Sequence, residues 1–292
     1  MAEAPPGIGA AMHRHWPEYA MEAAGLGLFM VSAGLVTTLL EHPGSIVHQT
    51  IPDAGLRRLL IGIAMGLTAI ALIYSPWGKQ SGAHLNPAVT LTFLRLGKVR
   101  KIDAAFYILA QFVGGAAGVL VVWGFLGDAF ALPPVDFVNT RPGPAGAVAA
   151  FLTETAMAFG IMLMVLSLLA RERLMPFIGL FAGFVVATYI AVLAPLSGMS
   201  INPARSFASA LPALLWQHLW IYFTAPVIGM QLAVEALRLA GVSRRVFCAK
   251  LNHHPAYRCI HCGYTPDAAP AAVPANSPVE TLAAALPGQE RR

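Results

Sequence analysis

Charge is what this sequence most lacks. Charged residues fill 11% of its 292 positions, against a usual share of roughly 25% in soluble domains. With a hydrophobic share of 57%, an ordinary water-facing surface is excluded. Cysteine is missing wherever a disulfide framework would need it. Cys248, Cys259 and Cys262 all lie beyond residue 247, and none is placed to staple the apolar body. The start of the chain also lacks a cleavable-leader pattern. Met1 to Glu18 holds Pro5, Pro6, His13, Arg14 and His15 with no short apolar core, so the first long apolar run is expected to act as its own insertion signal. A net charge of +5 does not point to nucleic acid, because the basic residues gather in short connections, as cytoplasmic retention requires.

What is present is long apolar runs. A bilayer core takes about 20 apolar residues at 1.5 Å rise each, and six runs meet that length. They are expected near residues 19–40, 57–75, 103–126, 146–170, 176–195 and 217–240. Glu22 and Glu154 are the acidic residues that fall well inside them. Lys79, Arg95, Lys98, Arg100, Lys101, Arg171, Arg173, Arg244, Arg245 and Lys250 fall on one side, against Arg57, Arg58, Arg141 and Arg205 on the other. That bias puts both termini in the cytoplasm of a cell membrane.

Two further apolar segments are too short to cross. Asn86 to about Arg95 and Asn202 to about Pro212 each open on Asn-Pro-Ala, after Ser81-Gly82-Ala83-His84 and Ser197-Gly198-Met199-Ser200. Asparagine is a preferred N-cap, and proline suits the first helical position because its missing N–H would be unpaired there. Each segment therefore reads as a half-helix. The two units, each with a glutamate upstream, are copies separated by three spans. An odd number of crossings inverts one copy relative to the other, and paired interrupted segments of this kind point to a site at the midplane. Non-helical backbone at that depth must be buried or line a wet cavity, so a pore is the economical reading. The fold class is an all-α membrane protein of six transmembrane helices plus two re-entrant half-helices, arranged as an inverted repeat.

The residues Ser-Gly-Ala-His-Leu-Asn-Pro-Ala-Val-Thr and Ile-Asn-Pro-Ala-Arg-Ser-Phe resemble the boxes of the major intrinsic proteins, the aquaporins and glycerol facilitators, over about residues 17–242. The resemblance implies an aquaporin-like fold, no enzymatic activity, no cofactor for permeation, and a homotetramer with one pore per subunit. Asn86, Pro87 and Ala88 with Asn202, Pro203 and Ala204 would form the pore centre, where two positive half-helix ends oppose cations and protons. Glu22 and Glu154 would support the two loops, and Arg205 would stand at the outer narrowing. His84 reads as a hydrogen-bonded loop residue.

The resemblance divides over the solute. Ser206, Ala210 and the pair Tyr222-Phe223 follow the water-channel branch. Met65 and Ile190 stand where water channels carry Phe and His, and with Met199 and Arg205 they imply a more apolar narrowing, adjustable through methionine. Passive conduction of water is the first reading. A facilitator of glycerol, ammonia or metalloid acids is the second, and a junctional membrane protein with little transport is a third.

Residues 1–16 read as a cytoplasmic segment, 243–265 as a cytoplasmic Cys/His tail, and 266–292 as a disordered Pro/Ala-rich end. Cys248, His253 (or His254), Cys259 and Cys262 compose three thiolates and an imidazole, an acceptable zinc set. Their spacing fits no standard finger, and reduced spare cysteines in a cytosolic tail are the default reading against a structural zinc.

Overall fold

The computed structural model describes residues 7–266. All of the expected disordered end except Pro266 lies outside that range. Among the described residues six helices are long and apolar enough to cross a membrane. They are α1 (Ile8–Glu41), α3 (Ala54–Tyr74), α6 (Lys101–Leu126), α8 (Gly146–Leu169), α9 (Ile178–Ser197) and α11 (Leu219–Leu239). Between them lie α2 (Ile46–Thr50), α4 (Pro76–Ser81), α7 (Asp128–Ala131) and the half-helices α5 (Pro87–Arg95) and α10 (Pro203–Ala213).

The expected spans agree to within a few residues, except the first. Helix α1 starts at Ile8, eleven residues before residue 19, and runs through Pro17. A proline interrupts a helix mainly by freeing the carbonyl four residues earlier. Here that residue is His13, which is exposed. The start of α1 therefore stands as a helical extension on the face where the chain tail also lies, called the tail face below.

The helices pair as an inverted repeat should. Helix α1 packs most extensively on α6, α8 on α11, and α3 on α9. Without a hydrophobic drive between helices in lipid, close approach over small residues holds such pairs together. A Cβ on Gly66 would meet the Gly183 carbonyl oxygen at 2.5 Å, and one on Gly183 would meet that of Gly66 at 2.5 Å. This reciprocity marks the pseudo-two-fold between the halves. At the α1–α6 crossing a Cβ on Gly114 would lie 2.0 Å from the Ala23 carbonyl oxygen. Gly114→Ala is therefore expected to force the helices apart, costing about 3 kcal/mol and lowering the thermal midpoint in detergent by roughly 6–12 °C. Gly124→Ala, where a Cβ would meet nothing within 4 Å, is the control and should leave the midpoint in place.

Candidate functional site

Helices α5 and α10 are about half the length that a 30 Å bilayer core demands, and each starts at an asparagine that caps it. Asn86 Oδ1 accepts from the Ala88 N–H at 2.9 Å, and Asn202 Oδ1 from those of Ala204 at 3.1 Å and Arg205 at 3.3 Å. The same two side chains tie the halves together. Asn86 Nδ2 donates to the Ile201 carbonyl at 2.7 Å, and Asn202 Nδ2 donates to the Leu85 carbonyl at 2.8 Å. A carboxamide nitrogen carries two hydrogens, so each asparagine keeps a second N–H. Pro87, Ala88, Pro203 and Ala204 are buried behind them.

The loops leading to these caps are hydrogen-bonded to the two glutamates. Glu22 accepts from Ser81 Oγ (2.8 Å), the His84 N–H (3.0 Å), the Leu85 N–H (2.6 Å) and Gln111 Nε2 (2.8 Å). Glu154 repeats the pattern with Ser197 Oγ (2.8 Å), the Ser200 N–H (2.8 Å) and the Ile201 N–H (2.6 Å). Both glutamates are fully buried. A matched pair of tyrosines, unread in this role from the sequence, completes each unit: Tyr107 donates to the Ser81 carbonyl at 2.7 Å and Tyr222 to the Ser197 carbonyl at 2.6 Å. The loops need this support because Ala83, Leu85, Met199 and Ile201 all have positive φ, between 47° and 55°. Such backbone costs on the order of 1–3 kcal/mol per non-glycine residue and persists only where surroundings enforce it.

Both asparagines line one cavity of about 300 Å³ that runs between the halves. Met65, Ile190, Met199 and Arg205 line it too, so the four residues expected at the narrowing share one conduit. Helix α3 contributes a single stripe, Arg58, Ile61, Met65, Ala69 and Ile73, and α9 the matching stripe Ala182, Val186, Ile190 and Ala194. Steps of three and four keep each set on one helix face. Arg58 is a lining residue that the sequence reading counted only as a loop charge. Its Nε donates to the Ala191 carbonyl at 3.0 Å, and its spacing of seven from Met65 was the available signal. Arg205 Nη1 is buried with no hydrogen-bond partner among the described residues, and the residue itself lines the cavity.

The loop after α6 folds back over the outer end. Val138 lines the cavity, and Thr140 Oγ1 shares a 2.6 Å hydrogen bond with Ser206 Oγ. At the inner end stand His84 and, from the tail, Leu251. His84 is a hydrogen-bonded loop residue as read, with Nε2 at 2.7 Å from the Ala249 carbonyl and Nδ1 at 3.1 Å from Thr90 Oγ1. It is also a lining residue. His261 stacks on it with ring centroids 5.6 Å apart. Burial, and then the neighbouring His84, pull the His261 imidazole down to about 3, so this ring adds no charge at neutral pH.

The structure also gathers Cys248, His253, Cys259 and Cys262, whose ligand atoms lie within 4.8 Å of one another. His254 is not part of that group; its Nδ1 accepts from the Ala256 N–H at 3.1 Å.

With this geometry in place, the likenesses to known proteins agree with it. The pattern described as Major intrinsic protein matches residues 14–236. Probable aquaporin AqpM of Archaeoglobus fulgidus is 38% identical over 176 residues, covering 58% of this chain and 71% of its own. Probable aquaporin NIP7-1 of Arabidopsis thaliana is 34% identical over 224 residues, covering 75% and 78%. Glycerol uptake facilitator protein-like 6 of Lactiplantibacillus plantarum is 34% identical over 186 residues, covering 63% and 85%. In fold, the chain is similar to the aquaglyceroporin of Plasmodium falciparum, with a TM-score of 0.64 at 20% identity over 79% of this chain and 99% of that one. The chain belongs to the major intrinsic protein family, whose members are passive multi-pass membrane channels rather than enzymes.

Proposed function

We propose that this protein conducts water down an osmotic gradient and holds back ions and protons. It does so as a homotetramer with one pore per subunit, in a cell membrane with both termini in the cytoplasm. The observation that carries the reading is the pair of cross-braced asparagines on the cavity wall, each with a spare N–H. A water oxygen that accepts from both turns its hydrogens outward along the pore, which interrupts a chain of water-to-water proton hops. The N-terminal ends of α5 and α10 add partial positive charge at the same depth, the barrier expected of aquaporin-type pores in general. The basic residues Lys98, Arg171, Arg173, Arg244 and Arg245 sit in connections that open toward the tail face, which supports the orientation.

A second reading, facilitated passage of glycerol, ammonia or another small neutral solute, is favoured by one observation. The wall that Arg205 shares with Met65, Ile190 and Met199 is apolar, and the histidine that lines the cavity, His84, belongs to its inner end. The alkyl body of a polyol tolerates such a wall, with Arg205 and Arg58 left to bind its hydroxyls. Proteoliposome shrinkage in a stopped-flow instrument separates the readings. The expected result is water efflux well above protein-free vesicles, with glycerol re-entry at the lipid background. Comparable glycerol re-entry selects the second reading. Water efflux no faster than lipid refutes both and returns the chain to a junctional role.

A further inference from the structure

After α11 the chain turns back onto the inner mouth of the conduit. The Leu251 N–H donates to the Gly82 carbonyl at 3.1 Å, and the Ala249 carbonyl accepts from His84 as described. Lys250 Nζ donates to the Lys79 carbonyl at 3.0 Å, and Arg258 pairs with Glu18 at 2.8 Å. The fit is close. Gly82 has a φ of 108°, and a Cβ there would sit 3.2 Å from Lys250 Cγ. As a result Leu251, 7% exposed, becomes part of the conduit wall. Yet from Val246 to Pro266 the chain has neither helix nor strand. Little regular hydrogen bonding holds this cover together.

What sits inside it is the cysteine cluster. Cys248 Sγ lies 3.4 Å from Cys259 Sγ, and His253 Nε2 lies 3.3 Å from Cys262 Sγ. The ligand–ligand edges of a tetrahedral zinc site with three sulfurs and one nitrogen are about 3.5–3.8 Å, from bond lengths of roughly 2.3 and 2.0 Å. A disulfide between Cys248 and Cys259 would use two sulfurs and leave Cys262 and His253 converging on the same point without cause. Charge agrees as well. Lys250 is fully buried, donates to the carbonyls of Lys79 and Arg258, and has no carboxylate partner among the described residues. A buried ammonium calls for a nearby negative charge. A zinc ion with three thiolates and a neutral imidazole carries a net charge of −1, beside it.

We propose that Cys248, His253, Cys259 and Cys262 bind one zinc ion, and that the metal holds residues 248–262 over the inner mouth with Leu251 in the conduit, so that zinc occupancy sets permeability. Binding involves no redox step: three thiol protons leave to solvent as three Zn–S bonds and one Zn–N bond form. The metal half stands on the cluster alone, whereas the control of flux rests on the proposed water conduction.

The test uses the full chain, purified without a polyhistidine tag or chelator. Elemental analysis is expected to give one zinc per subunit, lost in the Cys259→Ser/Cys262→Ser double variant. A content below about 0.2 per subunit, or a Cys248–Cys259 disulfide in its place, overturns the site. In proteoliposomes, removing zinc with a membrane-permeant chelator should raise water permeability roughly three- to tenfold. Leu251→Ala keeps every ligand, so it should retain zinc and show the raised permeability without chelator. If neither treatment changes the permeability, or either lowers it, the control of flux is overturned. No flux from any variant overturns the proposed conduction together with its control, and the zinc stoichiometry distinguishes that failure from loss of the metal site.

Discussion

Glu154→Ala is expected to abolish conduction and to remove most of the protein's stability. The substitution strands the Ser200 and Ile201 N–H groups and the Ser197 hydroxyl at a depth where water cannot easily replace the carboxylate. Each buried unpaired donor costs about 1–3 kcal/mol, so the loss is roughly 3–9 kcal/mol against a usual total of 5–15 kcal/mol. The positive-φ residues Met199 and Ile201 are free to relax once the carboxylate is gone, and Asn202 moves with them. Glu22→Ala should behave alike, because the same three kinds of group face it, with Gln111 in addition. Glu154→Gln keeps one acceptor oxygen and should lie between. Thermal unfolding in detergent together with stopped-flow shrinkage checks the series. A Glu154→Ala protein with wild-type midpoint and flux would show that the loop holds its shape unaided.

Arg205→Ala acts on selectivity instead. The substitution removes a full positive charge and most of a long side chain from the wall shared with Met65, Ile190 and Met199. A unit charge about 6 Å from a passing cation, at an effective dielectric near 20, opposes it by about 3 kcal/mol. Its loss should therefore raise cation leak by up to roughly a hundredfold, and the wider opening should speed glycerol re-entry. The centre is untouched, so the asparagines and half-helix ends continue to oppose protons. Arg58 lines the same cavity, hence the Arg58→Ala/Arg205→Ala pair should leak further than either single variant. Dye-monitored cation flux and glycerol re-entry measure both effects. If both stay at wild-type values in Arg205→Ala, the arginine does not guard the path.

The centre of this channel was legible in the sequence because its chemistry is local. An asparagine that caps a half-helix, a proline at its first turn and a serine-glycine before it all lie within a few residues, and they occur twice. Glu22 and Glu154 stood out for a different reason, since a carboxylate inside an apolar run must have partners, and the resemblance assigned those partners to the two loops. Met65, Ile190 and Met199 could be placed only by likeness, yet all three reach the cavity. The misses share one cause, distance along the chain. Val138 covers the outer end and Leu251 reaches the inner one through contacts between residues far apart in sequence, and no periodicity announces such docking. Arg58 was missed although its stripe with Met65 was available, because its position at a helix start reads equally as an interfacial charge. The early start of α1 was hidden by Pro17, whose disruption is small at an exposed end.

The mutual bracing of the two boxes also bears on how the molecule is made. Asn86 and the carbonyl it binds are 115 residues apart, and the Leu85 carbonyl waits equally for Asn202. A ribosome adding about 5–20 residues per second leaves the first loop without its counterpart for roughly 6–23 s. During that interval the early half is already in the membrane with its re-entrant segment unlatched. Only the arrival of the second half closes the latch in both directions at once, so the centre of the pore cannot form before Ile201 and Asn202 have been added.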